Sequence, residues 1–459
     1  MLRREIKATV VLATPVVATQ VAQISMGFVD TVMVGHLSSD ALAGIALGNS
    51  IFFTTVVVAL GVVMAVGPMV SQAVGASDDE GVARSVRQGL WLAVALTIPC
   101  MIVVRNAGIL LTWMGQDAGT VQLSQSYLRA ISWGAFPFLG FVALRSFIEG
   151  VSRPRPATLI SVAAVALNIG ANYILMYGKA GFPALGLVGT GWASTLVFWF
   201  MLVALVGVTQ ASPTFSAYRV FSHLRRPDPH YLREIFRIGW PIGISYGVES
   251  GLFMVTALLM GLLGTVALAA HQVAIQCAAF TFMVPLGIGI ATSVRVGQAV
   301  GRRDPSGAKT AGFVGVGLAA AFMFVAAILF WTLPRQIVGL YLDLDDPSNA
   351  EVIALATSLL AVAAVFQIFD GVQVSAGGAL RGLKDTRRPM LIGFLSYWVV
   401  GLTTGYVIGF RMSGGPVGLW WGLVIGLAVA AILLSVRFRT RATLDVQPAE
   451  RAPSWQEDA

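Results

Sequence analysis

The chain has 459 residues, of which 56% are hydrophobic and 11% charged, with a net charge of +8 and a mean hydropathy of +0.79. A water-soluble domain carries about 25% charged residues to keep its surface wet. A chain this long with so little charge cannot solvate its exterior, so that exterior faces lipid. The apolar runs approach the roughly 20 residues that a helix needs to cross the bilayer, and they lack the short alternation of a barrel strand.

In chain order, the apolar runs predict an all-α integral membrane protein with twelve transmembrane helices, near 8–34, 44–73, 86–104, 124–150, 157–177, 187–209, 234–262, 268–298, 309–333, 350–380, 389–410 and 416–436. The first run follows Arg3, Arg4 and Lys7 and extends to Gly35, too long for the core of a signal peptide. The two cysteines, Cys100 and Cys277, both sit inside apolar runs and read as packing residues, which excludes a disulfide framework.

Basic residues alternate from one side to the other. Most of the 30 Lys and Arg residues fall at the N-terminus, in the even-numbered connections (Arg84 and Arg87, Arg153 and Arg155, Arg295 to Lys309, Arg381 to Arg388), in the central connection and in the tail. The positive-inside rule then places both termini and the central connection in the cytoplasm. The same distribution explains the net charge with no nucleic acid as partner.

The two halves repeat. A constant offset carries Pro15 onto Pro241, Ala41-Leu42-Ala43 onto Ala267-Leu268-Ala269, Gly61 onto Gly287, Gln72-Ala73-Val74-Gly75 onto Gln298-Ala299-Val300-Gly301, and Asp78 onto Asp304. Six residues are then added in the second half, after which Gly150 meets Gly382 and Arg155 meets Arg387. Six spans per half is an even number, so the halves enter from the same side and form a parallel pseudo-two-fold repeat. The predicted units are an N-lobe at 1–210, a cytoplasmic linker at 211–233, a C-lobe at 234–436 and a cytoplasmic tail at 437–459, with 440–459 read as disordered. Pro15, Pro68, Pro137, Pro241 and Pro285 fall within spans, where each frees a carbonyl. Gly401, Gly405 and Gly409, and Gly418, Gly422 and Gly426, recur at the spacing that lets helix backbones approach in lipid.

Charge within a span costs about 2.5–3.5 kcal/mol on insertion scales and so points to function. Glu249 and Asp370 lie midway along the seventh and tenth spans, and Asp30 in the outer half of the first. No partner is evident for them in sequence, so each awaits a proton or a bound cation. Arg145 and Glu149 are spaced to pair with each other. Gln367 and Gln373 share the face of Asp370, and Tyr246 is one turn before Glu249. Asn168 and Asn172 form a polar stripe on the fifth span, and Gln272 and Gln276 on the eighth. These amides are candidates for lining a cavity. His271, at a helix end, reads as a surface residue.

Two motifs lead nowhere. Gly243-Ile-Ser-Tyr-Gly247 fits the hydrolase elbow G-x-S-x-G, but it lies inside a span instead of a strand-to-helix turn. No G-x-x-x-x-G-K-[ST] loop is present to cradle a nucleotide phosphate. The expectation is a transporter, not an enzyme, with no cofactor.

GFVDTVMVGHL in the first span, ALNIGANYILMYG in the fifth, VES in the seventh and FDGVQVSAGGALRGLKDT in the tenth resemble the multidrug and toxic compound extrusion (MATE) family, in its NorM-type bacterial branch. The resemblance runs in order over nearly the whole chain. It implies two six-helix lobes around a V-shaped central cavity, and a monomer in the bacterial inner membrane that exports cationic or aromatic compounds in exchange for Na⁺ or H⁺. It places Glu249 and Asp370 at the C-lobe cation site, binding Na⁺ if the protein is sodium-coupled, and Asp30, Asn168 and Asn172 in the N-lobe polar cluster. Phe366 departs from the pattern, standing one turn before Asp370 where some sodium-coupled members carry Tyr. The alternative reading is a lipid-linked oligosaccharide flippase of related architecture, which should line its cavity with Arg or Lys, whereas the mid-span charges here are acids.

Overall fold

The computed structural model describes residues 2–222, 224 and 227–444. Among them, twelve helices are long and apolar enough to cross a membrane: α1 (Leu2–Gly35), α2 (Ser39–Gly75), α3 (Asp79–Arg105), α4 (Ala118–Gly150), α5 (Arg155–Tyr177), α6 (Leu187–Ala211), α7 (Pro229–Leu262), α8 (Thr265–Gly301), α9 (Pro305–Thr332), α10 (Pro347–Gly382), α11 (Arg387–Arg411) and α12 (Gly415–Leu444). They correspond one for one to the spans read from sequence. The helices run several residues past the apolar windows because capping polar groups, not hydropathy, set their ends. Asp78 accepts from Gly81 N at 2.8 Å to start α3, and Asp304 accepts from Gly307 N at 2.8 Å to start α9. The repeated aspartate is therefore an N-cap in each lobe.

The prolines divide into two groups. Ahead of Pro68 and Pro137 the helix regularity fails: α2 is interrupted at Ala65, and α4 passes through a 3₁₀ turn at Ser132–Gly134. Each proline withholds the N–H that would have bonded the carbonyl four residues back, Met64 or Trp133, which lies at the break. α1, α7 and α8 run unbroken through Pro15, Pro241 and Pro285. Beside Pro15 the contact between helices is polar: Thr158 Oγ1 donates to the Pro15 carbonyl at 2.7 Å. α11 holds two π-helical stretches, Leu395–Leu402 and Val407–Arg411, which no proline announces. Here its glycines meet those of α12. A Cβ on Gly422 would lie 2.2 Å from the Gly405 Cα, and one on Gly426 2.8 Å from the Gly401 Cα.

The lobes join near the face that carries both termini. α2 crosses α7 where a Cβ on Gly61 would come within 2.3 Å of the Gly243 Cα, and one on Gly239 within 2.4 Å of the Val62 carbonyl oxygen. The G-x-S-x-G sequence is thus a helix crossing, with Ser245 Oγ donating to the Pro241 carbonyl at 2.7 Å. Farther toward the terminal face, Gln72 Nε2 donates to the Gly382 carbonyl at 2.8 Å and Gln298 Nε2 to the Gly150 carbonyl at 2.9 Å. These two bonds exchange under the sequence repeat. Gly75 and Gly301 complete them, since a Cβ on either would lie 2.2 or 2.0 Å from the carbonyl oxygen of Gln298 or Gln72. Glu5 is clamped by Arg295 at 2.8 and 2.7 Å on the same face. These approaches draw on the terminal-face halves of α1, α2, α7 and α8.

Three expectations need correction. The twelfth helix does not stop at 436: it runs to Leu444, because Arg437 and Arg441 bring guanidinium groups to Asp385 at 2.7 and 3.9 Å while the helix continues. The predicted disordered tail from 445 lies outside the described residues. The linker is shorter than 211–233, since Asp228 caps α7 by accepting from His230 N at 3.0 Å. His271 is buried, not a surface residue: α12 places Trp420 against it, and the indole Nε1 lies 3.2 Å from Nδ1.

Candidate functional site: two acid clusters

In the N-lobe, α1 carries Asp30 to the stripe on α5. Asn168 Nδ2 donates to Asp30 Oδ1 at 3.0 Å and Asn172 Nδ2 to the same oxygen at 2.6 Å; Ser194 Oγ of α6 donates to Oδ2 at 3.1 Å. All four residues are buried. The one-turn spacing of the two asparagines is what lets both amides reach a single oxygen. Their own side-chain oxygens are buried without a partner, leaving a cluster of oxygen atoms free to accept from a donor or to ligate a cation. Asp30 is therefore not unpartnered, as the sequence suggested, but triply hydrogen-bonded.

The C-lobe acids are held differently. Glu249 on α7 lines a chamber of about 70 Å³ with Tyr246, Gln373, Arg381 and Tyr397. Asp370 lies behind Gln373, whose Nε2 donates to Asp370 Oδ1 at a long 3.3 Å, while Gln373 Oε1 accepts from the Tyr397 hydroxyl at 2.9 Å. Gln373 thus links Asp370 to the chamber that Glu249 lines. Glu249 has no hydrogen-bond partner among the described residues, and Asp370 has only this long one. Acids so poorly supplied with donors at membrane depth are suited to taking a cation or a proton. Ligand pockets for drug-sized molecules run to roughly 300–1,000 Å³, so this chamber admits an ion and a few waters but no drug. The larger groove, lined by Leu2, Ile6, Lys309 and Phe313 among others, contains no acid.

The remaining candidates are distributed as follows. Tyr246 lines the chamber, where its hydroxyl accepts from Arg381 Nη1 at 2.8 Å. Gln367 turns to α8 and accepts from Thr281 Oγ1 at 3.0 Å, and it does not line the chamber. Gln272 and Gln276 stand exposed on α8, outside both clusters. Phe366 is buried among Phe253 and Trp420, at 6.2 and 5.5 Å between ring centroids, and the chamber's tyrosine hydroxyls come from Tyr246 and Tyr397. Arg145 and Glu149 pair as expected, at 2.9 Å.

Sequence reasoning missed Ser194, Tyr397 and Arg381. Nothing marks Ser194 or Tyr397 in their apolar runs. Arg381 counted as a loop cation, yet α10 continues to Gly382 and an arginine on a helix leans back toward its N-terminus, here into the chamber.

A twelve-helix membrane protein built from two repeated lobes, with acids buried in each, is the class that fold and site define. The MatE family model matches residues 15–174 and again 241–407, once in each half. The chain belongs to the MatE family. It is 42% identical over 437 residues to the "Probable multidrug resistance protein NorM" of a Synechococcus strain, covering 95% of this chain and 94% of that one. The Pseudomonas aeruginosa protein of the same name is 42% identical over 434 residues, covering 95% and 89%. Among solved structures, the eukaryotic MATE transporter AtDTX14 superposes with a TM-score of 0.85 at 22% identity, over 96% of this chain and 98% of that one. A multidrug resistance MATE family transporter in an outward-facing conformation gives 0.86 at 22% identity, over 96% of both chains.

Proposed function

We propose that this protein is a secondary active multidrug exporter of the bacterial inner membrane, with both termini cytoplasmic. It passes small cationic or aromatic compounds outward in exchange for Na⁺ or H⁺ and opens alternately to the two faces, working as a monomer. The observation that carries the reading is the C-lobe chamber: Glu249 lines a space of ionic size, Asp370 lies behind Gln373 of its wall, and the two acids have almost no protein donors. Such a pair gains most from a small cation. Binding one there changes the charge at the point where α7 and α10 meet, and transport requires a step of this kind to tie lobe movement to an ion gradient. Asp30, with Asn168, Asn172 and Ser194, offers a second polar site in the other lobe for substrate or ion. The names of the relatives, NorM and multidrug resistance protein, support efflux of diverse compounds.

The test is efflux of a fluorescent cationic dye from proteoliposomes, with Na⁺ and H⁺ gradients imposed separately. Gradient-driven efflux in the wild type that is lost in both Glu249→Gln and Asp370→Asn, with folding intact, is the expected result, and the effective gradient names the ion. Folded wild type that moves no dye under either gradient would sink the reading and leave the flippase alternative in front.

A further inference from the structure

The C-lobe chamber contains a cation of its own. Arg381 Nη1 donates to the Tyr246 hydroxyl at 2.8 Å, its Nε donates to the Gly377 carbonyl at 3.3 Å, and its guanidinium carbon lies 5.7 Å from the Tyr246 ring centroid. These three contacts fix the arginine on the wall it shares with Glu249. Among the described residues, Arg381 is the only Lys, Arg or His lining the chamber.

The repeat shows what such an arginine does. The offset that carries Pro15 onto Pro241 carries Gln23 onto Glu249, and the offset that carries Gly150 onto Gly382 carries Glu149 onto Arg381. In the N-lobe these positions form a closed group: Arg145 Nε sits 2.9 Å from Glu149 Oε1, and its Nη1 donates to Gln23 Oε1 at 3.0 Å. One acid there meets one arginine, and the group is neutral with no added ion. In the C-lobe the chamber's arginine is accompanied by two acids, Glu249 in the lining and Asp370 outside it, behind Gln373. Counted over these three groups, one negative charge is left over beside a space of about 70 Å³.

We propose that Arg381 is the fixed counter-charge of this chamber and that it sets the site to accept one monovalent cation per transport cycle. The inference rests on reading Glu249 and Asp370 as the acids that hold the coupling cation. Arg381 cancels one of the two carboxylates permanently, and the incoming ion cancels the other. Without Arg381 the same acids would demand two cations or would hold one too tightly to release. Arg381 is on this account a specificity-determining residue: it fixes the number and valence of the ions that neutralise the site, while Tyr246 positions it.

Charge-compensating variants test this by dye efflux under whichever gradient drives the wild type. Glu249→Gln brings the chamber to neutrality and should lower gradient-driven efflux by about tenfold or more. Adding Arg381→Gln to Glu249→Gln restores the single negative charge, and the glutamine at 249 still offers an oxygen, so efflux should recover substantially. Adding Arg381→Lys instead keeps the chamber neutral and should leave efflux lost. An arginine needed only for packing would give the opposite order, with Lys tolerated and Gln additive in damage. The counter-charge role is overturned if the Glu249→Gln/Arg381→Gln protein is folded, by thermal melting and gel filtration, yet no more active than Glu249→Gln alone. Wild type inactive under both gradients would overturn the exporter reading as well, so the two failures are told apart.

Discussion

The reciprocal bonds of Gln72 and Gln298 yield a prediction whose size follows from the geometry. Gln72 gives one bond across the lobes, to the Gly382 carbonyl at 2.8 Å; Gln298 gives two, to the Gly150 carbonyl and to Ser152 Oγ, each at 2.9 Å. Side-chain hydrogen bonds between helices in membranes average about 0.6 kcal/mol. If these bonds hold the terminal face shut, Gln72→Ala should raise the population open on that face by about threefold and Gln298→Ala by about eightfold. The double variant, which loses all three bonds, should raise it by about twentyfold. Ser71 provides the probe. It is fully buried, and a Cβ on Gly297 of the other lobe would lie 2.2 Å from its Oγ. Ser71→Cys in a protein whose Cys100 and Cys277 are replaced by Ala should react with a membrane-impermeant maleimide only while the lobes part. Alkylation from the terminal face, timed in membrane vesicles, should follow the order wild type, Gln72→Ala, Gln298→Ala, double variant. Equal rates in four folded proteins, or a larger effect from Gln72 than from Gln298, would refute the reasoning.

Three further outcomes are expected. Asn172→Ala withdraws the 2.6 Å donor from Asp30 and should cost about 1–3 kcal/mol, read as lower thermal stability in detergent, with a smaller loss for Asn168→Ala at 3.0 Å. Gly422→Ala, whose new Cβ would fall 2.2 Å from the Gly405 Cα, should destabilise the protein by about 1–3 kcal/mol, whereas Gly207→Ala, with nothing within 4 Å, should leave the melting temperature unchanged or higher. Arg145→Met leaves the buried Glu149 unpaired and should cost about 3–5 kcal/mol, but Arg145→Met with Glu149→Leu should recover most of the loss in the same melt.

The parts of this protein that were legible in sequence are those whose cause is local or repeated. Span length, the N-cap aspartates and the glycine series each act through a few neighbouring residues, and the QAVG motif stands out because it occurs twice. The Asp30 cluster was half legible. One-turn spacing announced Asn168 and Asn172, but Ser194 arrives from another helix with no periodic signal. The chamber was least legible, because its character depends on where long side chains end. Arg381 belongs to a basic run in the sequence, and only the continuation of α10 and the backward lean of the side chain bring it to Tyr246. Gln367 and Gln373 share one face three residues either side of Asp370, yet one turns to Thr281 and the other to Tyr397. A helix face spans a wide angle, and spacing alone does not say which neighbour each member meets.

The two lobes agree where they touch and differ where they carry charge. Gln72 and Gln298, Gly75 and Gly301, and Asp78 and Asp304 do the same work in both halves, as closing two lobes on a shared axis requires. The acids break the repeat. Opposite Asp30 stands Thr256, whose hydroxyl is spent on the Leu252 carbonyl at 2.9 Å, and opposite Asp370 stands Phe138, packed against Phe198 at 5.1 Å between ring centroids. Neither lobe contains a copy of the other's acid cluster. The Asp30 cluster is rich in donors, whereas Glu249 has no hydrogen-bond partner among the described residues. On the proposed reading, a symmetric frame with unlike charge sites assigns the ion to the lobe that holds Glu249, Asp370 and Arg381. The N-lobe group of Gln23, Arg145 and Glu149 should accordingly tolerate neutral replacement as a set, with stability altered and ion dependence of efflux unchanged.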